Sequence, residues 1–250
     1  MRDWPRPLIF AHRGSSAHAP ENTLAAFELA VAQGTPAIEL DTKLSADGQV
    51  VVFHDATVER TTNGRGYVSK LTLSALRELD AGSFFSEKFK GEKIPTLEEV
   101  LETIGKRVFI SIEFSNYYTF PHDGLADKVC GLVKRFGLQD NILFSSFLPS
   151  NLKRTRELLP EVPRALLALR GWKGEWARSF GFHFGDYQAL HPNLHDVTAQ
   201  QIARVHRLKR RIHVFTVDAP DDMRRLIRWG VDGIITNDPK LALEVFSEKT

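Results

Sequence analysis

A chain of 250 residues, 42% of them hydrophobic, can bury one large core or two small ones. Its 26% charged residues exclude a disordered chain, and a net charge of only +2 excludes the strongly basic surface of a nucleic-acid-binding protein. The single cysteine, Cys130, excludes a disulfide framework and suits a reducing cytoplasm. Residues Met1 to Pro7 lack a signal-like apolar core, and no run approaches the ~20 apolar residues of a membrane span. The expectation is a cytoplasmic protein with no nucleic-acid partner and no stable membrane association.

Strand-like and helix-like pieces alternate along the chain. Leu8–Ala11 is a short apolar strand. Thr23–Gln33 has helical apolar spacing, with Asn22 or Thr23 as N-cap and Gly34 as C-cap. Ala37–Asp41, Val50–Phe53 and Lys106–Phe114 read as strands, and Gly124–Phe136 as a helix that stops at Gly137. Ile142–Phe144, Arg164–Leu169 and Gln188–Leu190 are further strands, and Thr198–Leu208 is a helix. Ile212–Val217 is a strand, Pro220–Trp229 a helix ending at Gly230, Gly233–Thr236 a strand, and Pro239–Ser247 the final helix.

About eight strand–helix units in this length predict a (β/α)8 TIM barrel, an α/β fold spanning residues 1–250 as one domain. An open doubly wound sheet is second, because no Gly-rich phosphate fingerprint follows the first strand. Residues 55–95 break the rhythm, with a turn-like TTNGRG, the short helical LSALREL and the aromatics Phe84, Phe85 and Phe89. They read as a small subdomain inserted after the second barrel strand.

Strand side chains alternate faces, so in AIELD Ile38 and Leu40 share one face while Glu39 and Asp41 share the other. In VFISIE the aliphatic Val108, Ile110 and Ile112 face the helices, which leaves Glu113 inside with Phe109 and Ser111 below it. In a barrel, Glu39, Asp41 and Glu113 then converge at the C-terminal ends of neighbouring strands, where barrel active sites are built. Three confined carboxylates repel, so either one keeps its proton or a cation sits among them. An all-oxygen set favours magnesium or calcium over zinc. The competing reading for any one of these acids is a loop cap or a surface pair with lysine.

His12 follows LIFA and His54 follows VVVF, each one step past an apolar strand. Two imidazoles flanking a hard cation suit displacement at phosphorus, one removing a proton from the nucleophile and the other donating one to the leaving oxygen. Arg13 can neutralise non-bridging oxygens. Gly14 then lets the backbone turn away without a side chain blocking the substrate. His18, His122, His183, His191, His195, His206 and His213 read as structural.

The ordered set HRG, PENT, ELD, HD and a strand-end IE resembles the glycerophosphodiester phosphodiesterases. Ser145-Ser146-Phe147 and VFTVDAPDDMRRLIRWGVDGIITNDP extend the resemblance from residue 8 to about 240. It implies a barrel with an inserted subdomain and hydrolysis of glycerophosphodiesters, such as glycerophosphocholine or glycerophosphoethanolamine, to sn-glycerol 3-phosphate and an alcohol. It further implies one divalent cation, magnesium or calcium, on Glu39, Asp41 and Glu113. His12 and His54 match the catalytic pair, Arg13 the phosphate-binding arginine, and Glu21 and Asn22 a bracing tetrad.

The chain departs from that pattern twice. Ser115 stands where the family commonly has lysine, which predicts one positive charge fewer at the phosphate. Asp218 stands where asparagine is frequent, which predicts added negative charge near the mouth. Tyr117, Tyr118 and Phe120, with Trp172 and Trp176, could form an aromatic lip for a choline-like ammonium, although packing under loops is the better reading of each. The basic run Arg204, Arg207, Lys209, Arg210 and Arg211 reads as a solvated helix end. Two other functions compete: a phospholipase-like release of a cyclic phosphate, and a non-catalytic phosphodiester-binding barrel. A homo-oligomer is left open.

Overall fold

Short strands rich in Ile, Val, Leu and Phe need cover on both faces, and the chain meets that need by closing them into a ring. The computed structural model describes residues 7–116 and 123–248. Eight strands pair in parallel: β1 (Leu8–His12), β2 (Ala37–Leu44), β4 (Phe109–Phe114), β5 (Ile142–Ser146), β6 (Arg164–Ala168), β7 (Ala189–Pro192), β8 (Arg211–Val214) and β9 (Gly233–Thr236). β1 pairs with both β2 and β9, which closes the (β/α)8 barrel.

The outer layer contains α1 (Leu24–Ala32), α3 (Leu97–Ile104), α4 (Leu125–Phe136) and α5 (Pro149–Leu158). It continues with α7 (Ala199–Arg207), α8 (Pro220–Arg228) and α9 (Pro239–Ser247). α6 (Phe182–Phe184) is the last turn of a longer helical run described below. Thr23, rather than Asn22, caps α1, its side chain accepting from the Ala26 N–H. α3 and α5 carry no strong signal in the sequence; a Thr96–Glu99 capping box starts the first and Pro149 the second.

The strand Val50–Val52 (β3) is not a ninth member of the ring. It pairs antiparallel with the far end of β2, Leu44 opposite Val50 and Thr42 opposite Val52. This hairpin leads into an insertion with α2 (Leu73–Glu78) and its own apolar cluster of Val51, Phe53, Val58, Val68, Leu76, Ala81 and Ile94. Among the described residues, no helix is long and apolar enough to cross a membrane.

The alternation separates two cores. Ile9, Ile38, Leu40, Ile110, Ile112, Leu190, Ile212 and Ile234 face the helices. Leu8, Phe10, Phe109, Leu143 and Ile235 fill the ring interior. His191 and His213, expected as structural, lie in that interior, each 1% exposed, with His191 Nε2 3.0 Å from His213 Nδ1. Phe10 packs on both imidazoles.

Burial pushes His191 down from 6.5 to about 3, so it folds neutral. Between those values the unfolded chain binds the extra proton, and stability falls as pH drops below 6.5, on the order of 1.4 kcal/mol per pH unit from this residue. Urea midpoints measured at pH 7 and 4.5 should therefore drop less in His191→Gln than in the parent. Equal acid sensitivity in both would assign the loss to other groups.

Candidate active site

Strand register brings the acidic residues together. In the β2–β4 ladder Asp41 stands opposite Glu113, and in the β1–β2 ladder His12 stands opposite Glu39. One carboxylate oxygen from each of Glu39, Asp41 and Glu113 lies within 4.8 Å of the other two. The residues are 3, 1 and 8% exposed, so water does little to screen them. At that spacing, each pair of ionised carboxylates repels by about 3–4 kcal/mol even with an effective dielectric near 20.

The repulsion is resolved unequally. Burial, and then the charges of Asp41 and Glu113, push Glu39 well above the usual carboxylate range. Asp41 is buried too, but Arg13, His54 and hydrogen bonds from Asn22 and Ser115 outweigh burial and hold it low. Its carboxylate accepts from Asn22 Nδ2 at 2.9 Å and from Ser115 Oγ at 2.7 Å, and Arg13 Nε lies 3.2 Å away. Three oxygen donors with excess negative charge fit a hard divalent cation, which would relieve the strain that otherwise protonates Glu39.

Arg13 reaches this cluster through a backbone turn. Its φ is +57°, left-handed and unusual for a side-chain-bearing residue, and its N–H donates to the Glu39 carbonyl at 2.8 Å. Gly14 follows at φ +85°. Its missing Cβ faces α1, where any added carbon would come within 2.7 Å of Ala26, so close packing on the helix, not substrate access, demands glycine there.

From Arg13 an alternating chain of charges runs outward. Arg13 donates to Glu21 at 2.8 Å, and Arg60 donates to Glu21 with both terminal nitrogens. Arg60 also donates to Asp55, and Asp55 accepts from His54 Nδ1 at 2.6 Å. Burial opposes ionisation of Asp55, yet Arg60 and His54 bring it to about 2. His54 reaches the mouth on the returning hairpin rather than on a barrel strand; the preceding Phe53 N–H donates to the Asp41 carbonyl.

His12 has a different partner. Its Nδ1 lies 2.6 Å from Asn237 Oδ1. The Asn237 amide nitrogen donates to Asp218 Oδ2 at 2.7 Å, and a carboxylate can only accept, so the amide oxygen must face His12. The proton of neutral His12 is thus on Nδ1, and the Nε2 lone pair points into the mouth, 3.9 Å from Glu39. Burial and then Arg13 lower His12 from 6.5 to about 4.

Asp218 therefore does not add a loose negative charge, as its sequence position suggested. Its oxygens are engaged by Asn237 and Thr236. The expected deficit at Ser115 is also altered. Lys43, two residues beyond Asp41 on the same face of β2, is 7% exposed and donates to the Ser115 carbonyl. Its ammonium faces Asp41, Glu113, Asp55 and Asp123.

The structure brings His12, Arg13, Glu39, Asp41, His54 and Glu113 to one mouth. Sequence reasoning missed Lys43, Asp55, Arg60 and Asn237. For Lys43 the signal was present, since i, i+2 alternation from Asp41 puts it on the inner face. His18 is held by Asp238 and His206 by Asp232. The lip residues Tyr117, Tyr118 and Phe120, and also His122, lie outside the described residues. Trp172 and Trp176 are 84 and 56% exposed and so are not packed under loops.

Carboxylates, a guanidinium and two oriented imidazoles at the mouth of a barrel suit chemistry on a phosphodiester. Residues 12–241 match the family model described as the glycerophosphoryl diester phosphodiesterase family, and the chain belongs to that family. A glycerophosphodiester phosphodiesterase of Caldanaerobacter subterraneus subsp. tengcongensis is 38% identical over 242 residues, covering 96% of this chain and 98% of its own. Another from Bacillus subtilis is 34% identical over 94% of this chain and 85% of its own. The Oleispira antarctica phosphodiesterase solved with the product sn-glycerol-3-phosphate superposes with a TM-score of 0.88 at 31% identity, covering 97% of this chain and 98% of that one.

A cation held by the cluster would stabilise the folded state. A divalent cation at 100 times Kd should add ~2.7 kcal/mol and, at ~2–4 °C per kcal/mol for a domain of this size, raise Tm by several degrees. Glu39→Gln should remove most of the shift in a calorimetric scan. A parent protein whose Tm responds to no divalent cation would rule the site out.

Proposed function

We propose that this chain hydrolyses glycerophosphodiesters, such as glycerophosphocholine and glycerophosphoethanolamine, to sn-glycerol 3-phosphate and an alcohol. The observation that carries the reading is the asymmetry of the two histidines around the acidic cluster. His12 is neutral with a free Nε2, which suits a base. His54 is oriented through Nδ1 by the Asp55 carboxylate at 2.6 Å, which suits it as the proton-donating partner.

In this reading His12 Nε2 takes a proton from water as the water oxygen forms its bond to phosphorus. The bond from phosphorus to the leaving oxygen breaks, and His54 gives its proton to that oxygen. Water and diester thus become phosphomonoester and alcohol, with the protons balanced. Arg13 and Lys43 offset charge on the non-bridging oxygens. Glu39, Asp41 and Glu113 hold one divalent cation, magnesium or calcium, which when bound supplies further positive charge there. The 55–95 insertion, taken as a subdomain of a single barrel domain, contributes Arg60 and so secures Asp55 behind His54. A cytoplasmic setting fits the one cysteine, Cys130, which is buried in α4.

A coupled assay for sn-glycerol 3-phosphate across several glycerophosphodiesters, with magnesium, calcium, manganese or chelator, tests the reaction. His12→Ala and His54→Ala should each lower kcat by ~10²–10⁴. Full turnover in either variant removes the two-histidine scheme. In oxygen-18 water the first phosphate product should carry the label, whereas an early cyclic phosphate would replace water with the glycerol 2-hydroxyl as the nucleophile.

Asn237→Leu leaves the cluster intact but frees the His12 ring. It should lower kcat at least tenfold with KM nearly unchanged. An equal rise in KM with kcat intact would place Asn237 in substrate binding instead.

A further inference from the structure

The connection from β6 to β7 is a helical run with an unusual outer face. It has a 3-10 turn at Gly171–Gly174, a π turn at Ala177–Gly181 and the α6 turn at Phe182–Phe184. Its inner side is ordinary, with Gly174, Ala177, Gly181 and Phe182 buried. Its outer side carries Trp172, Trp176, Phe180 and Phe184, which are 84, 56, 69 and 76% exposed. Outer helices of a barrel normally show polar residues to solvent.

Residues four apart drift by ~40° per step on an α-helix. The π turn inserts extra chain within the run and counters that drift. Phe180 and Phe184 stack at 5.9 Å with 20° between their planes. The Trp176 ring lies over Gly181, where an added Cβ would meet it at 2.7 Å. The platform is also anchored from behind. Arg178 donates to the Leu169 and Gly171 carbonyls and to Asp196, and Arg210 donates to the Phe182 carbonyl.

Taken together, the four rings expose on the order of 600 Å² of apolar surface, at the upper end of the largest patch that an ordinary monomer leaves. A stable protein–protein interface buries about 800 Å² per partner. The stripe supplies most of that area, and exposed Lys173, Glu175 and His183 provide a polar rim. A membrane surface is the weaker fit. Interfacial helices carry an excess of Lys and Arg on the polar face, whereas here Arg178 is neutralised by Glu175 and Asp196.

We propose that this aromatic stripe is a twofold dimer interface, covered by the same stripe of a second copy of the chain. A twofold contact uses one patch on both partners, and a single row of large rings packs against its own copy without needing a differently shaped groove. The rows run antiparallel, so Trp172 of one copy meets Phe184 of the other.

Sedimentation velocity on the purified full chain tests this, with Phe180→Ser/Phe184→Ser as the comparison. The parent should sediment at twice the 28.2 kDa chain mass and the variant at 28.2 kDa, with phosphodiester hydrolysis unchanged. Interfaces of this size range from micromolar to picomolar, so a parent still monomeric at about 100 μM overturns the proposal. A dimer that survives in the variant overturns it as well. A monomeric parent that cosediments with phosphatidylcholine–phosphatidylglycerol vesicles, while the variant does not, would assign the stripe to a membrane surface instead. Activity of the variant confirms that it is folded, and a single Phe180→Ser gives the same readout should the double variant aggregate.

Discussion

Repulsion among Glu39, Asp41 and Glu113 is the constraint around which the mouth of this barrel is arranged. Three carboxylates in one buried space are tolerable only if neighbours discriminate among them. Asn22, Ser115 and Arg13 all attend to Asp41, which keeps its charge, while Glu39 takes the raised proton affinity. Arg13 cannot serve without its left-handed turn, and that turn is backed by Gly14 on α1. The first loop, the first helix and the second strand are thus committed to one electrostatic arrangement.

The same economy separates the imidazoles. Both occupy the mouth, and both are held through Nδ1. The difference is the charge of the supporting atom, an amide oxygen behind His12 and a carboxylate behind His54. Each supporter has its own fixing partner, Asp218 for Asn237 and Arg60 for Asp55. Tautomer and orientation are therefore decided two residues away from the reacting centre.

Much of this was legible in the sequence because period-two alternation is a local property. It puts Glu39 and Asp41 together, sets Glu113 apart from Ile110 and Ile112, and separates the two cores. The antiparallel return of Val50–Val52 was not legible, since an apolar run gives no direction. Asn237 and Arg60 escaped for another reason. They lie 225 and 39 residues from the groups they serve, His12 and Glu21, and only closure of the ring or folding of the insertion brings them near. Asp218 and Ser115 were judged by what they replace. Their effect depends on neighbours, Asn237 in one case and Lys43 in the other, that substitution patterns do not reveal.

The hairpin that carries His54 lies outside the ring of eight parallel strands. The acidic cluster is bound into ladders on both sides and cannot shift without opening the barrel. Insertions and deletions beyond β3, by contrast, leave every ring hydrogen bond in place. Divergence in this fold thus has a preferred address: the surroundings of His54 and whatever the insertion shelters can drift, while the acidic floor stays fixed.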